Sequence, residues 1–217
     1  MSLRALCLAI LPLLLLGCPD AAAPIETPSS VAPVATSEAP AEDGDLVAIE
    51  AVFARLQAVQ MSRDFASFFN LLSEETQREV LPAAIFGASM SVQAASEAGR
   101  EQREQELNAI LARHGLGPDV TEPEALEQAL AAVKKPGALY NQLMHFVLLY
   151  GSNFVRPEFV RLTQVVIDDE GRSATGTAHS RVANTGLESQ HRESSEELRF
   201  LKQGGSWRLH LVAGEGR

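Results

Sequence analysis

Thiols are scarce in this chain: Cys7 and Cys18 are its two cysteines in 217 residues. That excludes a disulfide-dense scaffold and cysteine-rich zinc sites. Lysine and arginine are outnumbered 18 to 28 by acidic residues, and none lies between Arg4 and Arg55. A chain of net charge −10 lacks the basic surface that nucleic acid requires. The apolar stretch Ala5 to Leu16 is broken by Pro12 and falls short of the roughly 20 residues of a spanning helix. Catalytic signatures are missing too. There is no Gly-x-Ser-x-Gly elbow, and Gly115-Leu116-Gly117-Pro118 follows a helical pattern and lacks the Lys-Ser/Thr pair of a phosphate loop. His179, His191 and His210 are not spaced to share a metal, so no metal or cofactor is expected. Asp168-Asp169-Glu170-Gly171 lacks the 12-residue calcium loop and reads as a hairpin turn.

What the N-terminus does contain is a positive Arg4, an apolar run and the ending Leu15-Leu16-Gly17-Cys18. Together these have the layout of an export signal with a small residue before the cut. The ending resembles the lipobox of bacterial lipoproteins. That resemblance implies cleavage after residue 17 and acylation of Cys18, palmitate being one such chain. It further implies a location in the cell envelope, anchored to a bacterial membrane and facing periplasm or exterior. Plain secretion is the rival reading. Cys7 would leave with the signal, so no intramolecular disulfide could form. The mature chain would hold 17 basic and 28 acidic residues, net −11.

Residues 18–45 carry Pro19, Pro24, Pro28, Pro33 and Pro40 among Ala, Ser, Thr and Glu. Such a composition cannot bury enough surface to order itself. It reads as a disordered tether, spanning about 30 Å as a coil and up to about 80 Å extended. Residues 46–214 remain, a comfortable size for one domain with its own core.

Ile49, Val52, Phe53, Leu56 and Val59 fall on one helix face. Phe65, Phe68, Phe69 and Leu72 resume after a break near Ser62 or Asp64, either a fitting N-cap. Ser73-Glu74-Glu75 opens another helix, which Pro82 should kink or divide. Arg100 to His114 is a charged, exposed helix, and Thr121-Glu122-Pro123-Glu124 begins a short one. Leu139 to Tyr150 is apolar nearly all round and should be the most buried. Beyond Phe159 the period becomes two. Strands are expected at Phe159 to Ile167, Ala174 to Val182, Ser194 to Lys202 and Ser206 to Val212, the last two joined at Gly204-Gly205. Helices over 46–150 followed by strands over 155–213 make an α+β domain, N-terminal helices packed on a four-stranded antiparallel meander. Its inner face should hold Ala174, Gly176, Ala178, Leu198, Phe200, Trp207, Leu209 and Leu211. Thr177, His179, Arg181, Arg199, Arg208 and His210 should lie on the other.

The helix pair from Ala48 to Leu72, broken at Arg63-Asp64-Phe65, and the closing hairpin from Glu196 to Leu209 resemble the nuclear transport factor 2-like fold. Ketosteroid isomerases share that cone. The match covers about half of the domain, and the helical stretch from Glu74 to Tyr150 departs from the family pattern. The resemblance implies a cone with a pocket between helices and concave sheet, where family enzymes place a carboxylate and a phenol. It also implies homodimerisation through the outer sheet face, because related folds often pair by their sheets.

No residue of this chain matches the family's catalytic positions one for one. Tyr140 and His145 sit five apart on the apolar helix, about 140° from each other, and read as core residues. Glu196 shares strand parity with Leu198 and Phe200 and is therefore the inward carboxylate. The leading expectation is a non-enzymatic envelope lipoprotein whose domain binds a small apolar ligand or another protein, through the pocket or through the face of Arg181, Arg199 and Arg208. One rival is an isomerase, dehydratase or hydrolase using Glu196 with Tyr140. Another is a structural tether between envelope layers.

Overall fold

The computed structural model describes residues 40–117, 123–150, 157–183 and 191–211. Cys18, the signal segment and the tether up to residue 39 lie outside the described residues. So do Thr121-Glu122, the Asn184-Thr185-Gly186 loop and Val212.

Among the described residues the chain runs through six helices and then four strands. These are α1 (Pro40–Ser62), α2 (Phe65–Leu71), α3 (Glu74–Gln93), α4 (Glu97–Arg113), α5 (Pro123–Ala131) and α6 (Pro136–Tyr150), then β1 (Pro157–Ile167), β2 (Ser173–Ala183), β3 (His191–Gln203) and β4 (Ser206–His210). The strands form one antiparallel sheet in the order β1-β2-β3-β4. The fold is α+β, a helical half followed by a meander.

Local chemistry sets the boundaries. Arg63 adopts φ 55° between α1 and α2, a left-handed turn that ends the first helix. The carboxylate of Asp64 then accepts from the Ser67 amide (3.0 Å) and opens α2. Ser73 caps α3 through the Thr76 amide (3.2 Å), with Glu74 and Glu75 in the first turn. Pro82 does not divide α3, which runs through it from Glu74 to Gln93. The carbonyl it leaves unbonded belongs to Arg78, four residues back, whose side chain is 79% exposed, so water can satisfy it. Gly204 and Gly205, at φ 57° and 79°, form the two-residue turn that matches the twist of a hairpin. Asp168 holds the β1–β2 turn by accepting from the amides of Arg172 (2.7 Å) and Ser173 (3.0 Å). Backbone donors occupy its oxygens, as a turn requires.

The first helix starts at Pro40, six residues before the boundary drawn from composition. Asp45, expected in the tether, is docked instead. Its carboxylate takes the Lys202 ammonium (2.7 Å) and the Trp207 indole N–H (2.9 Å). From that hairpin end α1 crosses the sheet toward the start of β1. There Phe53 meets Phe159 at 5.9 Å between ring centroids, and Gln57 donates to the carbonyls of Phe159 and Val160 at the free edge. Ile49, Phe53 and Leu56 are buried against inner-face residues that include Ala174, Ala178, Leu198, Phe200, Trp207 and Leu209. Leu211 is half-buried.

The last helix, α6, packs on α2, α3 and α4. It is less enclosed than its composition suggested, since Leu149 is 68% exposed and His145 faces solvent. On β1 the register slips twice, and Gln164 takes φ 53°. The second slip folds Leu162 and Val165 over Gly176, where an added Cβ would lie 3.0 and 3.3 Å from them. That glycine is a requirement of the bulge.

Candidate functional site

The inner face of the sheet is apolar along most of its length and turns polar toward the start of β3. Register pairs Ala178 with Glu196 and Ser180 with Ser194, so alternation places Glu196 and both serines on the face that holds Leu198 and Phe200. Ser180 is buried, and its hydroxyl lies 2.8 Å from that of Ser194. Glu196 is half-buried. Burial pushes its carboxyl above the usual carboxylate range, and among the described residues no charge or hydrogen bond offsets this. Lys202, on the same face at the opposite, hairpin end, is neutralised by Asp45 of α1.

Tyr140 and His145 stand on α6 and Glu196 on β3. Tyr140 is buried in the helical layer, 5.3 Å from the Phe69 ring and 6.3 Å from that of Phe68. Its place on an apolar helix makes His145 a core histidine by sequence. It stands at the surface, edge-on to Phe65 at 5.2 Å, because α6 presents that side to solvent. Tyr140 and His145 ride on a helix packed against other helices, whereas Glu196 sits on the sheet.

The outer sheet face carries the three arginines singled out above in three different states. Arg181 pairs with Glu158 at 3.0 Å, both partners near half exposure. Arg199 is exposed. Arg208 reaches past the sheet edge to donate to the carbonyl of Asn70. Thr163 and His179 share a hydrogen bond of 2.9 Å in the middle of the face. His210, expected to project outward, turns instead toward the start of α3.

That turn creates a polar cluster which sequence reasoning missed. Ser73 and Thr76 are fully buried, and their hydroxyls lie 2.9 Å apart. His210 Nδ1 is 2.9 Å from Ser73 Oγ, and the Leu211 amide donates to Thr76 Oγ1 at 3.0 Å. The Ser73 amide also donates to the Leu209 carbonyl at 2.7 Å. A serine hydroxyl beside an imidazole has the spacing of a nucleophile and its base. Here, though, Ser73 is 0% exposed and its oxygen is engaged as the cap of α3. The cluster therefore pins helix to strand. Its local half, the Ser73 cap, was readable, but its partner lies 137 residues away.

A second missed residue is Arg103. Its guanidinium donates to the Ser91 carbonyl (2.8 Å) and lies 4.6 Å from the centroid of the Tyr150 ring. The Tyr150 hydroxyl donates in turn to Glu106 at 2.6 Å. Gly87 faces Val147, so α3 and α6 run alongside each other, and Arg103 sits where both helices end. A cation is favoured there by the carbonyl ends of the two helices.

Among the described residues no group of three His, Cys, Asp or Glu is placed to hold a metal ion, and no helix is long and apolar enough to cross a membrane. Compared with protein-family models, with curated proteins and with solved structures, the chain gives no match in any of the three.

Proposed function

We propose that this chain is a bacterial envelope lipoprotein that holds a binding domain, without catalytic activity of its own, on a flexible tether. The observation that carries the reading is Leu15-Leu16-Gly17-Cys18 at the close of a short apolar run. An acylated cysteine with two or more chains would anchor stably, since each buried CH₂ contributes about 0.8 kcal/mol. The absence of basic residues between Arg4 and Arg55 leaves the acyl group to do this without help from anionic lipid. Binding is favoured over an isomerase, dehydratase or hydrolase reaction by the separation of Tyr140 and His145 from Glu196. A general base needs its partners within hydrogen-bond reach of one substrate. The ligand site we assign to the polar end of the inner face, on the side of the sheet where the resemblance to the nuclear transport factor 2-like cone implies a pocket between helices and sheet. A second copy of the chain suits the exposed outer face, where Arg199 is open to an acidic partner.

Fractionation of a bacterial host expressing the full chain tests the anchoring. The natural sequence should pellet with membranes and the Cys18→Ala variant should not. Recovery of both in the soluble fraction would refute it. Light scattering of the Cys18→Ala chain tests the pairing, which a strict monomer at high concentration would contradict.

A further inference from the structure

We propose that the outer side of α3, around Phe86 and Met90, rests on the surface of the membrane that holds the chain. The proposal depends on the lipoprotein reading above and adds the face by which the domain meets the bilayer. Its first ground is the pattern of α3. Val80, Ala84 and Ala88 are buried on the inner side. Phe86 and Met90, one turn apart on the opposite side, are 43% and 46% exposed. A helix that is apolar on both sides calls for cover on each.

Charge indicates what covers it. The charged residues of α3, Glu74, Glu75, Arg78 and Glu79, lie in its first turns, and none occurs from Val80 to Ser96. The chain as a whole carries net charge −10. This stretch is therefore one by which it can approach a bilayer without repulsion from acidic lipid. No described helix is long and apolar enough to cross a membrane. The contact is accordingly with the interface, where an apolar helix face enters about 5–10 Å.

Position is the second ground. The Glu74 amide donates to Gln203 Oε1 at 3.0 Å, so α3 starts beside the β3–β4 hairpin. Asp45 holds the start of α1 to the same hairpin through Lys202 and Trp207. The tether and α3 thus begin at one end of the domain. Phe86 lies about 18 Å along the helix from Glu74, and Met90 about 24 Å. Read as a coil, residues 18–39 would span about 26 Å, and extended up to about 68 Å. The anchor therefore reaches far enough for α3 to lie flat. Interfacial helices ordinarily add Lys and Arg to grip anionic lipid, which α3 lacks beyond Arg78. The tether replaces that grip. A short flexible linker sets an effective concentration in about the millimolar range, at which a small apolar patch suffices.

The test uses the acylated chain purified from a bacterial host and reconstituted into phosphatidylcholine vesicles. A nitroxide is placed at Met90→Cys, with Glu197→Cys on the exposed outer sheet face as the reference. With Cys7 removed and Cys18 blocked by its thioether, each variant offers one free thiol. Power saturation then reads access to oxygen and to a water-soluble nickel chelate. At position 90 oxygen access should rise and nickel access fall at least threefold against position 197. Adding Phe86→Glu should abolish that difference while the protein still floats with the vesicles. Equal nickel access at both positions in floating vesicles would overturn the docking and leave the anchor standing. Failure to float would overturn the anchor and the docking with it. Loss of nickel access without a gain in oxygen, with dipolar broadening that unlabelled chain removes on dilution, would assign the stripe to a second copy and overturn the membrane. A difference that survives Phe86→Glu would overturn the stripe as its cause.

Discussion

Ser73 and Asp64 both cap helices, yet they differ in what else their oxygens do. Asp64 accepts from Ser67 at an exposed position, so Asp64→Ala should lower stability by no more than an ordinary lost cap. Ser73 is buried and also meets Thr76 and His210. Ser73→Ala leaves those partners unsatisfied and should cost more, about 2–3 kcal/mol, with urea unfolding as the measurement. The caps themselves are legible in sequence because they act within one turn. The pairing with His210 is not, because a strand's alternation gives its face but not a neighbour from another element. Titration separates the carboxylates in the same way. Hydrogen bonds from Lys202 and Trp207 to Asp45, from Ser67 to Asp64, and from the Arg172 amide and the Ser173 hydroxyl to Asp168 hold these three below the usual 3.8. Their stabilisation is present above 3.8 and lost as pH falls through the lower folded values. Glu196 runs the other way. Its carboxyl is raised above 4.5, so its contribution is present below that value and lost as pH rises through the folded one. Glu196→Gln should therefore unfold at higher urea than the parent at pH 7, and the two should converge below pH 4. A less stable variant at pH 7 would contradict the unpaired carboxylate.

The helices and strands follow their periodic patterns where one neighbour decides the outcome. They depart from them where two do. The β1 pattern reads as an unbroken strand, but the observed strand slips twice, and the reason sits on β2 as Gly176. Gly176→Val should force Leu162 and Val165 apart and destabilise by about 1–3 kcal/mol, measured by thermal unfolding. Pro82 shows the converse, a local breaker tolerated because α3 is anchored at both ends, by Ser73 at its start and by Arg103 near its close. Replacing Arg103 with Met keeps much of the aliphatic packing but removes the bond to Ser91 and the contact with Tyr150. We expect a loss of about 1–3 kcal/mol and faster amide exchange at the ends of α3 and α6. Arg63, held at φ 55°, should respond in the opposite sense. Arg63→Gly relieves a left-handed strain of about 1 kcal/mol or more, in part offset by the entropy of glycine, so its stability should match or slightly exceed the parent's.

Taken as one molecule, the chain places its polar exceptions at the ends of a continuous core. Composition and period were enough for the order of elements and for the inward set on the sheet, Ala174 through Leu209, because burial repeats with the backbone. They did not reveal that α6 exposes His145 and Leu149, since an all-apolar helix gives no sign of which side will lack a neighbour. Nor did they show that Asp45 belongs to the domain, because its partners Lys202 and Trp207 lie at the other end of the chain. Glu196 could be read as inward from parity alone, whereas its lack of a partner among the described residues required the whole sheet. The membrane attachment rests on the opposite kind of information, a short linear motif, and mass spectrometry of the N-terminal peptide from membrane-extracted protein tests it most directly. The peptide should begin at Cys18 and carry the mass of a diacylglyceryl group with or without a third acyl chain. An N-terminus elsewhere, or an unmodified Cys18, would contradict it.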